Sequence, residues 1–293
     1  MKIIDCFMYF DEDLMLDIRL NTLNKYVSHF IICEATFNHR GISKELNFNI
    51  NNFSKFKDKI SYIVLDKQPS NLKKIEINDS LSTKNSKILD NALYRENAQR
   101  NYLSNKLEKF YDEDLIMIND LDEIPNLENF KYKNKITIFK QKMFYYKLNL
   151  LYPNFSWIGT KICKKKHLLS PQWLRNIKSK KYPLWRFDIL FSKKKYRDIE
   201  FVENGGWHFT NVKTIENIDF KMKNYLHHLE YEESGLNISD IKKIISKKEV
   251  LYDLAIDSKS SKWSSKIKLE NLPAHLLPEY VFSNLEKYRN WID

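Results

Sequence analysis

Short apolar runs alternate with helical patterns along the first 125 residues. Three of the runs predict buried strands, at residues 3–10, 26–33 and 59–65. After the acidic residues 11–13, three leucines fall on one helical face and predict a helix; they are Leu16, Leu20 and Leu23. A longer helix is predicted from Ile88 to Phe110, with one apolar stripe and a polar cluster of Arg95, Glu96, Gln99 and Arg100.

This alternation of strand and helix is typical of a mostly parallel sheet covered by helices on both faces. We therefore predict an α/β fold with a Rossmann-like sheet. The polar stretch 66–87 has little periodicity and predicts a loop. Helical patterns at residues 214–228, 239–248 and 276–291 predict a helical C-terminal extension. A chain of 293 residues could form one domain with this extension or two small domains, and we favour a single domain.

Three carboxylates follow the next apolar run, in the stretch Asp120-Leu121-Asp122-Glu123, and Pro125 is predicted to stop the strand. Side chains two apart in a strand point the same way, so Asp120 and Asp122 should project together beyond the sheet. Paired carboxylates suit Mg²⁺ or Mn²⁺, which complete their coordination with water and phosphate oxygens. A solvated acidic turn is the alternative, but the apolar strand and the proline favour a metal site beside a nucleotide diphosphate.

Two further positions accompany the carboxylates. Glu34 also follows a predicted strand, at the carboxyl ends where α/β sheets bind ligands. Two of the five glycines of the chain are adjacent and come just before Trp207 and His208, which predicts a tight turn. A packed histidine is the common interpretation of such a residue. The diglycine and the Asp pair instead favour His208 as a third metal ligand or a phosphate contact.

Composition limits the class of protein. With 43% hydrophobic and 14% aromatic residues the chain is expected to be globular. No apolar run reaches the length of a membrane span, no signal-peptide layout begins the chain, and three scattered cysteines predict core packing in a reducing compartment. We therefore expect a cytoplasmic protein.

The net charge of +11 is compatible with nucleic acid, anionic lipid or an acidic donor substrate. Most lysine clusters form a solvated face. Because the three densest clusters fall in one region, they also predict a peripheral contact with an anionic membrane at its inner face; they are 164–166, 178–181 and 193–195.

Two other classes of protein compete with a metal-dependent enzyme acting on a nucleotide. A nuclease or nucleic-acid-binding protein also uses paired carboxylates, but it needs a basic stripe interleaved with exposed aromatics, which the sequence does not show. No nucleic-acid partner is therefore expected. A non-catalytic sugar-binding module would retain aromatics but has no use for the Asp pair.

Five blocks of the sequence occur in the order expected of glycosyltransferase family 17, and the chain resembles that family over roughly residues 2–230. They are Asp5-Cys6-Phe7 with Arg19-Leu20-Asn21, Glu34-Ala35-Thr36-Phe37 with Gly41, Arg95-Glu96 with Gln99-Arg100-Asn101, Asp120-Leu121-Asp122-Glu123-Ile124-Pro125, and Gly206-Trp207-His208. The family includes an N-acetylglucosaminyltransferase. The resemblance implies a GT-A fold, a UDP-sugar donor (UDP-GlcNAc above all), inversion at the anomeric carbon, and a glycan or lipid-linked saccharide acceptor.

The resemblance also implies roles for residues. Asp120 and Asp122 match the metal and diphosphate motif, and His208 matches a late metal ligand. Glu34, Arg95, Arg100 and Asn101 are placed at the nucleoside and diphosphate. Residues 1–125 would then bind the nucleotide sugar, 126–212 the acceptor, and 213–293 would form the helical extension.

An inverting displacement requires a carboxylate base opposite the diphosphate. The downstream candidates are Glu203 and Asp188, with Glu203 preferred; a solvated acid is the alternative for Glu203. Among the tryptophans, Trp207 is preferred for stacking on a sugar.

Overall fold

The structure is a computed structural model that describes residues 1–183, 185–225, 228–255, 262–263 and 265–293. Its strands are β1 Ile3–Met8, β2 His29–Ala35, β3 Ile60–Leu65, β4 Leu115–Asn119, β5 Glu123–Pro125, β6 Ile136–Tyr145, β7 Leu150–Lys164, β8 Ile199–Val202, β9 Gly206–Thr210 and β10 Glu270–Asn271. Its α-helices are α1 Asp13–Leu23, α2 Leu81–Tyr102, α3 Pro171–Asn176, α4 Ile215–Asn224, α5 His228–Ser234, α6 Ile238–Ser246 and α7 Glu279–Phe282.

The described strands form one sheet in the order β3-β2-β1-β4-β7-β6-β9-β5, with β8 beside β6 and β10 beside β7. Strands β1 to β4 pair in parallel, and Cys6 of β1 lies opposite Ile31 on one side and Ile118 on the other. Strand β7 then runs antiparallel to both β4 and β6. The predicted α/β fold with a mostly parallel, helix-flanked sheet is confirmed.

Buried apolar side chains cover both faces of the sheet because strand residues alternate between them. Ile4 and Cys6 of β1 pack in one core cluster, whereas Phe7 packs in another that extends to Tyr288. All three cysteines are buried free thiols, as their strand patterns predict. The search for membrane-spanning helices, made over the described residues, finds none long and apolar enough.

Two helix boundaries differ from the sequence prediction. Helix α2 begins seven residues before Ile88, at Leu81, because the Ser80 side chain caps it by accepting a hydrogen bond from the Thr83 amide. The prediction of a loop over 66–87 is therefore wrong at its C-terminal end. Helix α2 also ends at Tyr102 rather than Phe110, and the chain continues in a 3₁₀ turn, Leu103–Lys106.

The C-terminal extension is more broken than predicted. The pattern over 214–228 contains the whole of α4 and the first residue of α5, and His227 lies outside the described residues. The single helix expected over 276–291 is wrong: a 3₁₀ turn, the four-residue α7 and another 3₁₀ turn replace it. The chain returns to the sheet at this point, since the Leu148 amide donates to the Trp291 carbonyl.

Candidate active site

The carboxylate-rich stretch forms a turn between two strands, which differs from the sequence prediction. Strand β4 ends at Asn119, and the chain resumes as β5, of which Pro125 is the last residue. Asp120 and Asp122 therefore lie in the turn rather than in a strand. Both nevertheless line the same two cavities, so the structure does bring them together as predicted.

A buried arginine holds this turn. Arg19 of α1 is fully buried and forms a two-pronged ion pair with Asp5, at 2.8 and 2.7 Å. Its third nitrogen donates to the backbone carbonyls of Asp120, Leu121 and Glu123, the last at 2.6 Å. Burial raises the pKa of Asp5 despite the adjacent guanidinium. The Asp5–Arg19 block of the sequence thus sets the path of the turn.

The Glu123 carboxylate is bound by neighbouring side chains and by the turn, so it is not available as a free ligand. It is fully buried and accepts hydrogen bonds from the Trp157 indole at 2.7 Å, from Arg175 and from the Asp120 amide at 3.0 Å. Opposite Glu123 in the β5–β9 ladder lies His208. The close approach of these strands requires Gly206, because a Cβ at its φ of +125° would stand 2.2 Å from the Ile124 carbonyl.

Asp120 lies between two guanidinium groups. One carboxylate oxygen accepts from Arg100 at 3.0 Å and the other from Arg175 at 2.9 Å. Burial alone would raise the pKa of Asp120, but Arg175 and Arg100 together hold it well below its usual range. Asp120 is therefore an ionised, fully compensated carboxylate, and Arg100 contacts it rather than standing free in the cavity.

Asp122 faces an imidazole and an ammonium group. Its Oδ1 lies 3.5 Å from His208 Nε2, and its Oδ2 lies 4.0 Å from Lys221 Nζ. Burial opposes ionisation, but His208 and then Lys221 lower the pKa of Asp122. The His208 ring stacks on Trp157 at 4.8 Å, and its Nδ1 is buried with no hydrogen-bond partner in the described part of the chain. Asp122 and His208 thus form one cluster, as the sequence predicted.

Two cavities meet at these residues, and Asp120, Asp122, Lys221 and Tyr225 line both. The inner cavity, about 70 Å³, lies at the carboxyl ends of β1 and β2 and is also lined by Tyr9, Phe37, Asn38, Lys44 and Gln99. The outer cavity is larger, about 350 Å³, and includes Glu96, Arg100, Trp157, Gln172, Arg175 and His208.

Helix α4 and the residues around it close the inner cavity. Asn38 donates to Asn224 at 2.9 Å, and Arg40 donates to the Lys223 carbonyl at 3.0 Å. On the other side, Lys213 pairs with Asp11. These contacts join the loops after β1 and β2 to the segment that follows β9, across the top of the cavity.

Four predicted nucleotide-binding residues line neither cavity. Glu34 is buried and accepts from Lys44, from the amides of Asn47 and Phe48, and from Tyr62 at 2.8 Å. Its carboxylate fastens the loop that follows β2. Arg95 donates to Gln68 and to the His39 carbonyl, and Asn101 accepts from the Gln172 amide. Trp207 donates its indole N–H to the Leu276 carbonyl, on the side of β9 away from His208.

The two predicted base residues are also placed away from both cavities. Glu203 is 65% exposed and pairs with Lys140 at 2.6 Å. Asp188 pairs with Arg186 and Lys195 at 2.6 and 2.7 Å. The carboxylates that line the outer cavity are Glu96, Asp120 and Asp122.

We expect Glu203→Gln to keep turnover within about threefold of the unsubstituted protein, because its carboxylate is solvated and its ion-pair partner among the described residues is Lys140. Loss of a general base costs roughly 10²-fold or more. Initial-rate measurement on Glu203→Gln, with exposed Glu128→Gln as the matched control, separates these outcomes. A loss above a hundredfold for Glu203→Gln alone would restore it as the base.

The side chains around Asp122 fit a divalent metal only in part. Across the part of the chain that is described, no three His, Cys, Asp or Glu side chains are grouped closely enough to hold one. The predicted set of Asp120, Asp122 and His208 is not assembled as three ligands, because both oxygens of Asp120 face guanidinium groups. Asp122 and His208 alone offer a carboxylate and an imidazole, which fit an ion that takes its other ligands from water and phosphate.

A comparison against known protein families matches residues 1–292 to Glycosyltransferase family 17. The chain belongs to glycosyltransferase family 17. It is a glycosyltransferase, and the family indicates a nucleotide-sugar donor and a glycan acceptor. A search of curated proteins finds no match to it.

Three residues of this glycosyltransferase site were not found by sequence reasoning. Arg175 comes from the six-residue α3, Lys221 from α4 and Tyr225 from the residue after α4. Each is more than 50 positions from the carboxylate turn, so no spacing rule connects them. Trp157 was one of several tryptophan candidates for sugar stacking. Its position on β7 does not by itself indicate that its ring meets His208.

Lys161 holds the end of α3 that carries Arg175. Its buried ammonium donates to the carbonyls of Arg175 at 2.6 Å and Ile177 at 2.7 Å. Burial, and secondarily Arg175, lowers the pKa of Lys161 to about 7. Lys161 is therefore a support for the arginine that neutralises Asp120.

This lowered pKa predicts a pH dependence of stability. An unfolded chain keeps the ordinary lysine pKa of roughly 10.4, so the unfolded state binds more protons between about pH 7 and 10. The contribution of Lys161 to the free energy of unfolding should rise with pH over that range. Urea unfolding at pH 7, 8 and 9 should show that the free energy of unfolding of the unsubstituted protein rises with pH. The same plot should be flatter for Lys161→Met. Equal slopes in Lys161→Met and in the exposed control Lys57→Met would contradict it.

Proposed function

We propose that this glycosyltransferase moves N-acetylglucosamine from UDP-GlcNAc onto a glycan or lipid-linked saccharide, with inversion and a β linkage, and that it requires Mn²⁺ or Mg²⁺. The observation that carries this proposal is the cluster of Asp122, His208 and Lys221: Asp122 and Lys221 line both cavities, and His208 lines the outer one. It lies beyond the carboxyl ends of parallel strands, where α/β sheets bind nucleotides.

The inner cavity is proposed for the nucleoside and the outer cavity for the transferred sugar and the acceptor. Pockets that bury small ligands typically measure 300 Å³ or more, so about 70 Å³ is too small for a nucleoside. The wall formed by Lys221, Asn224 and Tyr225 must therefore move away when the donor enters. In this division residues 1–125 bind the nucleotide sugar, residues 126–212 contribute the acceptor side, and residues 213–293 supply the movable wall.

Charge compensation on the departing diphosphate is the main chemical demand of the transfer. A divalent ion held by Asp122 and His208 would neutralise part of the charge that develops there. Lys221 lies beside Asp122 and adds a fixed positive charge from the chain itself. Arg175 and Arg100 keep Asp120 ionised and immobile, so the turn presents Asp122 in one orientation. Glu34, Arg95, Asn101 and Trp207 support this site from outside its cavities.

The proposed location is the cytoplasm, supported by the three buried free thiols, which are typical of a reducing compartment.

The test is release of nucleoside diphosphate from a panel of nucleotide sugars, each with Mn²⁺, with Mg²⁺ and with EDTA. Metal-dependent release from UDP-GlcNAc, above that from UDP-glucose and UDP-galactose, is the expected result. Turnover of another nucleotide sugar would overturn the donor assignment. Turnover undiminished by EDTA would overturn the metal requirement. Cleavage of DNA or RNA in place of any sugar donor would revive the nuclease alternative.

A further inference from the structure

Residues 178–195 form a loop that leaves the sheet just after α3 and returns beside it; we call this segment the basic loop. Its two ends are joined, because the Lys178 amide donates to the Lys194 carbonyl at 2.8 Å. The Trp173 indole also donates to the Lys193 carbonyl at 2.7 Å. The base of the loop is therefore fixed to α3, while Leu184 within it lies outside the described residues.

The tip of the basic loop exposes large apolar side chains. Trp185 and Phe187 are 71% and 70% exposed, and Leu190 and Phe191 are 67% and 89% exposed. A short 3₁₀ turn, Phe187–Ile189, buries only Ile189 and turns the others outward. Four such side chains within seven residues make an apolar patch, which on a protein surface marks a contact site.

Charge surrounds this apolar tip. The basic loop carries seven lysine and arginine residues and one acidic residue, Asp188, for a net charge of +6 against +11 for the whole chain. Asp188 is neutralised by Arg186 and Lys195, so the acid does not interrupt the positive surface. Segments that lie in the interface of an anionic bilayer typically combine exposed aromatic and leucine side chains with flanking lysines, as the basic loop does.

We propose that the basic loop docks this protein on an anionic lipid surface, with Trp185, Phe187, Leu190 and Phe191 entering the headgroup region and the lysines facing lipid phosphates. A second copy of the chain does not fit this surface, because two basic loops, each with a net charge of +6, would repel each other. Protein interfaces are depleted of lysine at their cores. Single-stranded nucleic acid uses stacked aromatics, and leucine cannot stack on a base.

The position of the loop connects the lipid surface to the outer cavity. Asn176 lines that cavity, and the basic loop begins two residues later at Lys178. A saccharide attached to a lipid would thus emerge from the bilayer beside the cavity proposed for the acceptor. This link to the acceptor rests on the proposed function, whereas lipid binding itself does not.

The experiment is co-sedimentation of the full chain with vesicles of phosphatidylglycerol and phosphatidylcholine, and with phosphatidylcholine alone. An apolar variant carries Trp185→Ser, Phe187→Ser and Phe191→Ser, and its control carries Ile77→Ser, Leu81→Ser and Tyr111→Ser at exposed positions elsewhere. A charge variant carries Lys180→Glu, Lys181→Glu and Lys193→Glu. Its control carries the same change at Lys57, Lys67 and Lys242, which are also exposed.

We expect binding to anionic vesicles only, and a loss of about tenfold or more in both loop variants, with controls within about threefold. The proposal is overturned if the unsubstituted protein does not sediment with anionic vesicles, or if the controls lose as much as the loop variants. It is also overturned if the apolar variant abolishes a dimer seen by sedimentation velocity without lipid, or if an oligonucleotide binds to the loop instead.

Donor hydrolysis by the same variants, measured without lipid, distinguishes this proposal from the proposed function. The substituted loop residues line neither cavity, so hydrolysis should stay at the unsubstituted rate. Vesicle binding by a protein that hydrolyses no nucleotide sugar would contradict the proposed function and leave the docking proposal standing.

Discussion

Asp122→Asn should lower turnover by roughly 10³-fold while changing the free energy of unfolding by only about 1 kcal/mol. The substitution keeps the shape of the side chain and removes the negative charge that faces His208 Nε2 and Lys221. Without that charge, Lys221 loses its partner, and the proposed divalent ion would lose its carboxylate ligand. Initial rates and urea unfolding measure the two quantities separately.

A matched control for Asp122→Asn is Asp112→Asn, since the Asp112 side chain is 73% exposed and its carboxylate lies 3.5 Å from Lys165. That variant should retain full turnover. Titration with Mn²⁺, followed by its electron paramagnetic resonance signal, gives a readout that does not depend on activity. Asp122→Asn should weaken Mn²⁺ binding by about ten- to a hundredfold. Unchanged Mn²⁺ binding together with unchanged turnover would remove Asp122 from the site.

Arg19→Met should destabilise the fold by about 3–5 kcal/mol, the typical cost of leaving one partner of a buried ion pair alone. Asp5 would remain fully buried without its partner, and three carbonyls of the carboxylate turn would lose their donor. The free energy of unfolding of Arg19→Lys should lie between those of the unsubstituted protein and Arg19→Met, because an ammonium group keeps the charge but cannot form the two-pronged contact. Urea unfolding measures the loss.

A pH series tests the cause of the Arg19→Met effect. The pKa of Asp5 is already raised by burial, and removal of Arg19 raises it further. The folded variant then binds a proton that the unfolded chain releases, so its stability should increase as the pH falls from 7 toward 4. The double variant Asp5→Asn with Arg19→Met should recover part of the loss at pH 7. A double variant no more stable than Arg19→Met would show that the Asp5 charge is not the cause.

The central strands were predictable because strands buried on both faces leave continuous apolar runs in the sequence. Strand alternation does not apply to Asp120 and Asp122, which lie in a turn, but it separates Trp207 from His208, since neighbours on β9 face opposite sides. The prediction that Trp207 stacks on the sugar did not take into account that Trp207 and His208 face opposite sides of β9. Trp157, two strands away in the sheet, is the ring that stacks on His208.

The polar partners of the site were not predictable from spacing. Arg175 reaches Asp120 from 55 positions away, and Glu123 resembles an open ligand in sequence although the indole of Trp157 and Arg175 satisfy it in the fold. Glu203 follows strand β8, as Asp120 follows β4, but β8 lies beside β6 and leaves the Glu203 side chain exposed to solvent. Contacts between distant segments, rather than local pattern, decide which acids belong to the site.

The shared wall between the two cavities has a kinetic consequence. Lys221 and Tyr225 line both, so under the proposed division of the cavities a shift of α4 that admits a nucleoside also changes the space open to the second substrate. We therefore expect a compulsory binding order, in which the nucleotide sugar enters first and the nucleoside diphosphate leaves last. Product inhibition by that diphosphate would then be competitive against the donor and noncompetitive against the acceptor.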